Sequence, residues 1–195
     1  MQQLFLGAGP PIWFIYTPSR ACSSPSNMET KREGSEKKVM VVIDENEYSY
    51  YALDWVLNKL KESITDSPLV ILAPYSTPNC NHIFAAQLSA AGIYTPVSST
   101  LELIRSVQDR NRKIALGLLQ KAKTICASQG VKVETITEVG EAKEAVCKAV
   151  RNNGIDLLVI GENSNGALKR FFLGSLSNYC LDNANCPVLV VKKPE

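Results

Sequence analysis

The fold is most evident in residues 155–191, IDLLVIGENSNGALKRFFLGSLSNYCLDNANCPVLVV. This region holds two apolar runs, 155–160, in which Asp156 is the one polar residue, and 187–191, and each is short enough to be a single strand. A run without polar alternation is typical of a strand buried on both faces, as in the interior of a parallel sheet. Between the runs lie a loop that begins at Gly161 and a predicted helix from about Ser175 to Asn183. The region therefore predicts a strand, a loop, a helix and a second strand.

The same alternation extends upstream to Lys38. The run Val39–Ile43, which ends at Asp44, and the run Leu69–Leu72, which is stopped by Pro74, predict two more buried strands. The remaining predicted elements are helices at 48–60, 99–128 and 141–152, a loop or insertion at 74–98, and a less buried strand at 131–137. Strands that alternate with helices form right-handed crossovers. We therefore predict an α/β fold with a five-stranded parallel sheet and helices on both faces.

Composition narrows the function classes. The chain has 195 residues, of which 45% are hydrophobic and 21% are charged, so it is not collagen-like, coiled-coil or wholly disordered. The formal net charge of +2 is a weaker basic excess than a dedicated nucleic-acid binder shows, and we expect no nucleic-acid partner. No run of about 18 apolar residues occurs, so we expect no membrane span.

The N-terminal residues lack the regular pattern. Residues 4–16 are apolar but are interrupted by glycines and prolines, and the stretch to Asn27 has no acidic residue. We predict that residues 1–37 are a disordered leader or a targeting segment, dispensable for folding, and that residues 38–195 form the domain. A cytoplasmic protein is the expectation. The Ser-rich, acid-free stretch leaves an organelle transit peptide as the alternative.

The cysteines predict neither a metal site nor disulfides. The six are Cys22, Cys80, Cys126, Cys147, Cys180 and Cys186, and no two form a C-x-x-C pair. The single histidine, His82, offers no second imidazole, so the spacing of a zinc site is absent and we expect no metal ligands. We predict reduced thiols in a reducing compartment.

A ligand site is predicted where parallel strands end, because open α/β sheets bind ligands outside the carboxyl ends of their strands. The first strand ends in Asp44, the second in Ala73-Pro74, and the fourth in the loop 161–166, which leads to a helix start at 174–177. Glycines and a helix N-terminus together favour an anion such as phosphate. Structural alternatives remain open: Asp44 as the cap of a turn and Ser175 as an ordinary helix N-cap. Three further polar residues, Lys169, Arg170 and His82, are expected to be solvated.

The segment GENSNGALKRFFLGSLSNYCLDNANCPVLVVKKP resembles the C-terminal signature of the universal stress protein family, especially its plant, single-domain members. ATP-binding members of that family carry glycine, two residues, glycine, nine residues and then Gly-Ser or Gly-Thr. Gly161 matches the first position, Gly174-Ser175 the last pair, and nine residues separate Ser164 from Gly174. The strand end at Asp44 and GEAKEAVCKAV extend the resemblance over about residues 38–195.

The resemblance implies a non-enzymatic stress-response protein that binds ATP or AMP, with or without Mg²⁺, and forms a homodimer through its last strand, Pro187–Val191, at a sheet edge. Slow, incidental ATP hydrolysis is the most activity expected, since no general base is placed by the motif. The residues implied on the adenine and ribose side are Ile43, Asp44 and Pro74. Those implied on the phosphate side are Gly161, Asn163, Ser164, Gly166, Gly174, Ser175, Leu176 and Ser177.

Three positions depart from the family pattern. Ser164 replaces the second motif glycine, Asn163 stands where many members have histidine, and Pro74 stands where a valine that contacts adenine is common. These departures favour an alternative, an interaction module of the same fold that has lost nucleotide binding. Catalytic relatives rank lower, because neither G-x-G-x-x-G after the first strand nor a P-loop is present.

Overall fold

The structure, a computed structural model, describes residues 12–16, 37–64, 67–77, 97–162 and 173–193. Its strands are β1 (Ile12–Tyr16), β2 (Val39–Val42), β3 (Leu69–Tyr75), β4 (Val133–Val139), β5 (Leu157–Glu162) and β6 (Val188–Lys192). Its helices are α1 (Glu47–Lys59), α2 (Val97–Ser128), α3 (Ala142–Asn153) and α4 (Ser175–Asn183), with a 3₁₀ turn at Lys61–Ile64.

The sheet has the strand order β1-β6-β5-β2-β3-β4. The five strands β2 to β6 pair in parallel, for example Val41 with Ile71 and Val159 with Leu189. From β2 the chain builds outward through β3 and β4, then returns to add β5 and β6 on the other side. The winding therefore reverses between β2 and β5, which is where open α/β sheets bind ligands. The predicted fold class is confirmed.

Helices cover both faces of the sheet, because alternate residues of the buried strands point to opposite sides. On one face Val39, Val41 and Ile43 contribute to a core with α1 and α2. On the other, Met40 and Val42 contribute to a core with α3 and α4. The buried helical residues in these two cores are Ala52, Leu53, Val56, Leu57, Ala115, Leu119, Ala122, Cys126, Val146, Cys147, Ala149, Val150 and Cys180.

The predicted stop of the second strand at Pro74 is wrong, because β3 continues to Tyr75. The Leu72 carbonyl accepts a hydrogen bond from the Ile43 amide, so Leu72 directs its backbone groups toward β2. Pro74, two residues further on, faces the same side, where β2 has already ended. Its missing N–H therefore costs no ladder bond, and β3 pairs with β4 through Tyr75.

The predicted sheet edge at the last strand is also wrong. β6 lies between β5 and β1, and β1 pairs with it antiparallel, with Phe14 opposite Val190 and Tyr16 opposite Val188. An open edge leaves a row of unpaired N–H and C=O groups. The apolar stretch IWFIY, which the sequence analysis excluded with the rest of residues 1–37, provides the partner for that row. In the part of the sheet that the structure describes, the edge strands are β1 and β4.

The long helix α2 agrees with its sequence prediction. It ends at Ser128, and Gly130 follows with a left-handed φ of 72°, a backbone conformation that favours glycine. Among the described helices, α2 included, none pairs enough length with enough apolarity to cross a membrane.

Candidate functional site

The carboxyl ends of β2 and β5 meet the first turn of α4 at the point where the winding reverses. Ile43 and Asp44 follow β2, while Gly161 and Glu162 close β5. Because β2 and β5 are neighbours in parallel, their ends lie at the same edge of the sheet. The fold thus brings together residues that are more than a hundred positions apart in sequence.

Asp44 is half-buried and organises the turn before α1. Its Oδ1 accepts a hydrogen bond of 3.0 Å from the Asn46 amide, and its Oδ2 accepts one of 2.8 Å from the Asn46 side chain. The Asp44 amide in turn donates to the hydroxyl of Ser49, which is buried in the first turn of α1. Asp44 therefore caps this turn, and these bonds set where its carboxylate lies.

Two cavities share Asp44 as a wall. The first, which we call the β3 cavity, has a volume of about 220 Å³ and is lined by Asp44, Glu45, Pro74, Tyr75, Ser76, Asn111, Ile114, Ala115 and Leu118. Its walls combine apolar side chains with a few polar groups, the mixture that small-molecule sites present. Asn111 is held in place by a 2.9 Å hydrogen bond to the Ser76 carbonyl. Pro74, a residue that the resemblance implies on the adenine side, is part of this lining.

The second, which we call the switch-point cavity, has a volume of about 250 Å³. It is lined by Asp44, Asn46, Tyr48, Ile160, Gly161, Glu162, Gly174, Ser175, Leu176 and Ser177. The predicted residues Gly161, Gly174, Ser175, Leu176 and Ser177 are therefore brought together. Ile43 is fully buried beneath this edge.

Glu162 is the site residue that the sequence analysis missed. Its Oε1 accepts a 2.8 Å hydrogen bond from the Gly174 amide, and its Oε2 accepts one from the Ser177 hydroxyl. Gly174 is the N-cap residue of α4. A carboxylate of the chain therefore lies at the positive end of the α4 dipole, where an external anion would bind. Glu162 directly follows the motif residue Gly161, but sequence alone does not show that its side chain turns toward α4.

Ser175 is not the N-cap of α4. The helix begins at Ser175, the N-cap is Gly174, and no side-chain cap bond forms there. Ser175 is exposed, whereas Ser177 is buried and bonded to Glu162. Of the two serines, Ser177 is therefore the one that stabilises the first turn of α4.

Gly161 is required by packing. A Cβ at this position would lie 2.5 Å from the carbonyl carbon of Tyr48 and 2.8 Å from the Cα of Ser49, and closer still to the Tyr48 carbonyl oxygen. All three atoms belong to the backbone of α1, so no side-chain rotation relieves the contact. The first motif glycine therefore lets α1 approach the end of β5.

A buried cation adjoins the carboxylate. Lys192 is 2% exposed and pairs in register with Glu162 across β5 and β6. Burial lowers the pKa of Lys192, and the charge of Glu162 opposes that effect. The positive charge of Lys192 is thus already matched by an acidic side chain of the same chain.

Several predicted residues lie outside the described residues: Asn163, Ser164 and Gly166 from the implied site, and Lys169, Arg170, His82, Cys22 and Cys80. Over 12–16, 37–64, 67–77, 97–162 and 173–193, no three His, Cys, Asp or Glu side chains lie close enough to hold a metal ion.

The four described cysteines are free and buried. Burial raises the pKa of Cys126 and of Cys186 to about 11, and also raises those of Cys147 and Cys180. The Cys147 thiol donates to the Cys180 sulfur at 3.9 Å. These thiols act as small apolar core groups, as predicted for Cys126 and Cys147.

Comparison with known proteins identifies the family. The sequence model of the universal stress protein family matches residues 36–192. The chain belongs to the universal stress protein family. A universal stress protein A-like protein of Arabidopsis thaliana is 26% identical over 170 residues, covering 82% of this chain and 93% of that protein.

Solved structures of universal stress proteins share the fold. An Arabidopsis thaliana family member with AMP bound has a TM-score of 0.55 at 23% identity, over 81% of this chain and 92% of its own. A universal stress protein in complex with cAMP has a TM-score of 0.52 at 19% identity, over 80% of this chain and 96% of its own. At these identities the likeness shows the Rossmann-like α/β fold.

Proposed function

We propose that this universal stress protein binds an adenine nucleotide, ATP or AMP, at the carboxyl edge between β2 and β5. The observation that carries the proposal is the pair of cavities that meet at Asp44 where the winding reverses. The base would occupy the β3 cavity and the ribose would lie near Asp44. The phosphate side would face Gly174 to Ser177. Support comes from family members that hold AMP and cAMP.

The bound nucleotide serves as a signal in this proposal, and the protein is a non-enzymatic stress-response protein of the cytoplasm. Three described carboxylates line the cavities, Asp44, Glu45 and Glu162, and two of them, Asp44 and Glu162, are engaged in hydrogen bonds within the chain. A general base must be free to take a proton from an attacking water. The hydrogen bonds of Asp44 and Glu162 make these two side chains less available for that role, which supports binding without turnover.

The test is calorimetric titration with AMP of a matched pair of variants on α2. Ile114 lines the β3 cavity and is 38% exposed, while Leu116 is 48% exposed and lies outside it. Because both positions reach solvent, both tolerate a large side chain. We expect Ile114→Trp to fill the cavity and weaken AMP binding at least tenfold, and Leu116→Trp to leave it unchanged. Equal effects of the two variants would place the nucleotide elsewhere.

A second candidate is an interaction module that has lost nucleotide binding. The Glu162 carboxylate at the start of α4 favours it, as does Ser164 at the second motif position. The Ser164→Gly variant separates the two candidates. If Ser164 only weakens an existing site, the variant should tighten ATP binding about tenfold, which corresponds to roughly 1.4 kcal/mol. Binding that is absent in the parent and restored in the variant would support the interaction module.

The proposal includes a homodimer, and the pairing of β6 with β1 adds a condition for its formation. Pairing of two copies through β6 requires β1 to leave, because β1 occupies the outer edge of β6. Sizing of the full chain against a chain that lacks residues 1–27 tests this dependence. We expect the full chain to be the less associated of the two.

A further inference from the structure

We propose that Glu162 selects adenine ligands of low negative charge by occupying the phosphate end of the switch-point cavity. The proposal rests on the adenine-binding function proposed above and names the ligand class of that site: a nucleoside or a nucleotide with few phosphate charges, in preference to ATP.

Glu162 accepts hydrogen bonds from two donors at this end of the cavity that a phosphate could otherwise use. Gly174 lines the cavity at the N-terminus of α4, and its amide donates to Glu162 at 2.8 Å. The Ser177 hydroxyl, on a residue 1% exposed, donates to the other carboxylate oxygen. A bound phosphate would have to displace the carboxylate from these donors, or lie beside it without them.

The Glu162 carboxylate lies directly against Gly174, the N-cap of α4. A Cβ on Gly174 would lie 3.3 Å from the Glu162 Cδ and 3.4 Å from its Oε2, and nearer still to Oε1. The Glu162 side chain therefore fills the space over the N-cap that an anion would use. A phosphate at this end would meet a like charge in a partly buried setting, where charge repulsion is less screened than in water.

Lys192 contributes to the expected preference for ligands of low charge over ATP. It is buried opposite Glu162 in the strand register, and its charge interacts with that of Glu162. With Glu162 ionised, that charge is already balanced. Replacing the carboxylate by an amide would return a net positive potential to this end of the cavity. The amide oxygen could still accept from the Gly174 amide, and the amide NH2 could donate to the Ser177 hydroxyl.

The experiment uses the full chain, titrated by calorimetry in EDTA with adenosine, AMP, ADP and ATP. In the parent, we expect affinity to fall as phosphates are added beyond AMP. In Glu162→Gln, we expect ATP affinity to rise at least tenfold while adenosine affinity changes less than twofold. Asp182→Asn, at the other end of α4 and exposed, removes the same charge and should change neither. Glu162→Ser, which frees the donors entirely, serves as a second variant if the glutamine chain does not fold.

Each outcome has a distinct meaning. An unchanged ratio of ATP to adenosine affinity in folded Glu162→Gln and Glu162→Ser would overturn the role of Glu162. A loss of ATP binding in Glu162→Gln only when Mg²⁺ is present would identify Glu162 as a cation ligand and would also overturn it. Failure of adenosine and AMP to bind the parent and every variant would instead refute the proposed adenine site.

Discussion

Gly161→Ala is expected to destabilise the protein, although it adds a single methyl group. That methyl would overlap the backbone at the start of α1. It would lie 2.5 Å from the carbonyl carbon of Tyr48, 2.8 Å from the Cα of Ser49, and closer still to the Tyr48 carbonyl oxygen. Non-bonded carbon atoms prefer separations of about 3.5–4.0 Å. The start of α1 must therefore move away from β5 by about 1 Å.

The size of the effect follows from the atoms involved. Overpacking of a well-packed core typically costs about 1–3 kcal/mol. Here the obstructing atoms are backbone, which cannot change rotamer, so we expect a loss of about 3 kcal/mol in the free energy of unfolding. For a protein of this size that corresponds to a fall in Tm of about 6–12 °C.

Gly117→Ala is the matched control. Gly117 is exposed within α2, and a Cβ there would meet nothing within 4 Å. Alanine is favoured over glycine in a helix by about 0.5–1 kcal/mol, so this variant should gain stability. Urea unfolding followed by circular dichroism measures both.

Glycine-to-alanine substitution is thus expected to lower the free energy of unfolding at position 161 and to raise it at position 117. A Gly161→Ala protein as stable as the parent would show that α1 does not press on β5, and would refute the packing explanation of the first motif glycine. A stable variant that lost AMP binding would assign that glycine to the ligand instead.

Three further predictions concern the first turn of α4, a buried thiol and the N-terminal strand. Ser177→Ala should lower the free energy of unfolding in urea by about 1–2 kcal/mol, because a buried hydrogen bond to a carboxylate is lost. Ser175 is exposed and makes no side-chain cap bond, so Ser175→Ala should change that free energy by less than about 0.5 kcal/mol. A larger effect of Ser175→Ala than of Ser177→Ala would contradict the assignment of Ser177. The pKa of Cys126 is raised by burial to about 11, so its contribution to stability is complete below pH 9 and is lost as pH rises toward 11, by up to about 1.4 kcal/mol per pH unit. Cys126→Ala should therefore show a shallower decline in unfolding free energy over that window, and an identical slope would exclude the thiol as its source. A chain starting at Met28 lacks β1, and we predict that it folds and self-associates through the open edge of β6. A monomer on analytical ultracentrifugation would contradict that prediction.

Much of the fold could be predicted from hydrophobic periodicity alone. The runs at Val39–Ile43 and 155–160 contain almost only apolar residues and are only five or six residues long, which is typical of strands covered on both faces. The helices α3 and α4 were placed within about one residue, because their apolar residues recur at helical spacing. Local pattern is sufficient where burial on a regular element dictates the residue type.

At Pro74 the local sequence was not sufficient to predict where the strand ends. Proline interrupts a strand where the carbonyl groups of a neighbouring strand need its N–H. Whether they do depends on where β2 ends beside it, and this is a property of the sheet and not of the sequence around position 74.

The candidate site, too, could be predicted from the sequence only in part. The sequence by itself determined that Asp44, Gly161 and the turn 174–177 would converge, because the carboxyl ends of neighbouring parallel strands share one edge. Only the tertiary structure decided that Glu162 reaches the first turn of α4 and that Ile12–Tyr16 closes the edge of β6. Both contacts join segments that have no periodic relation in sequence. Each depends on unpaired hydrogen-bonding groups, at a helix N-terminus and at a strand edge, that arise only when the sheet is assembled.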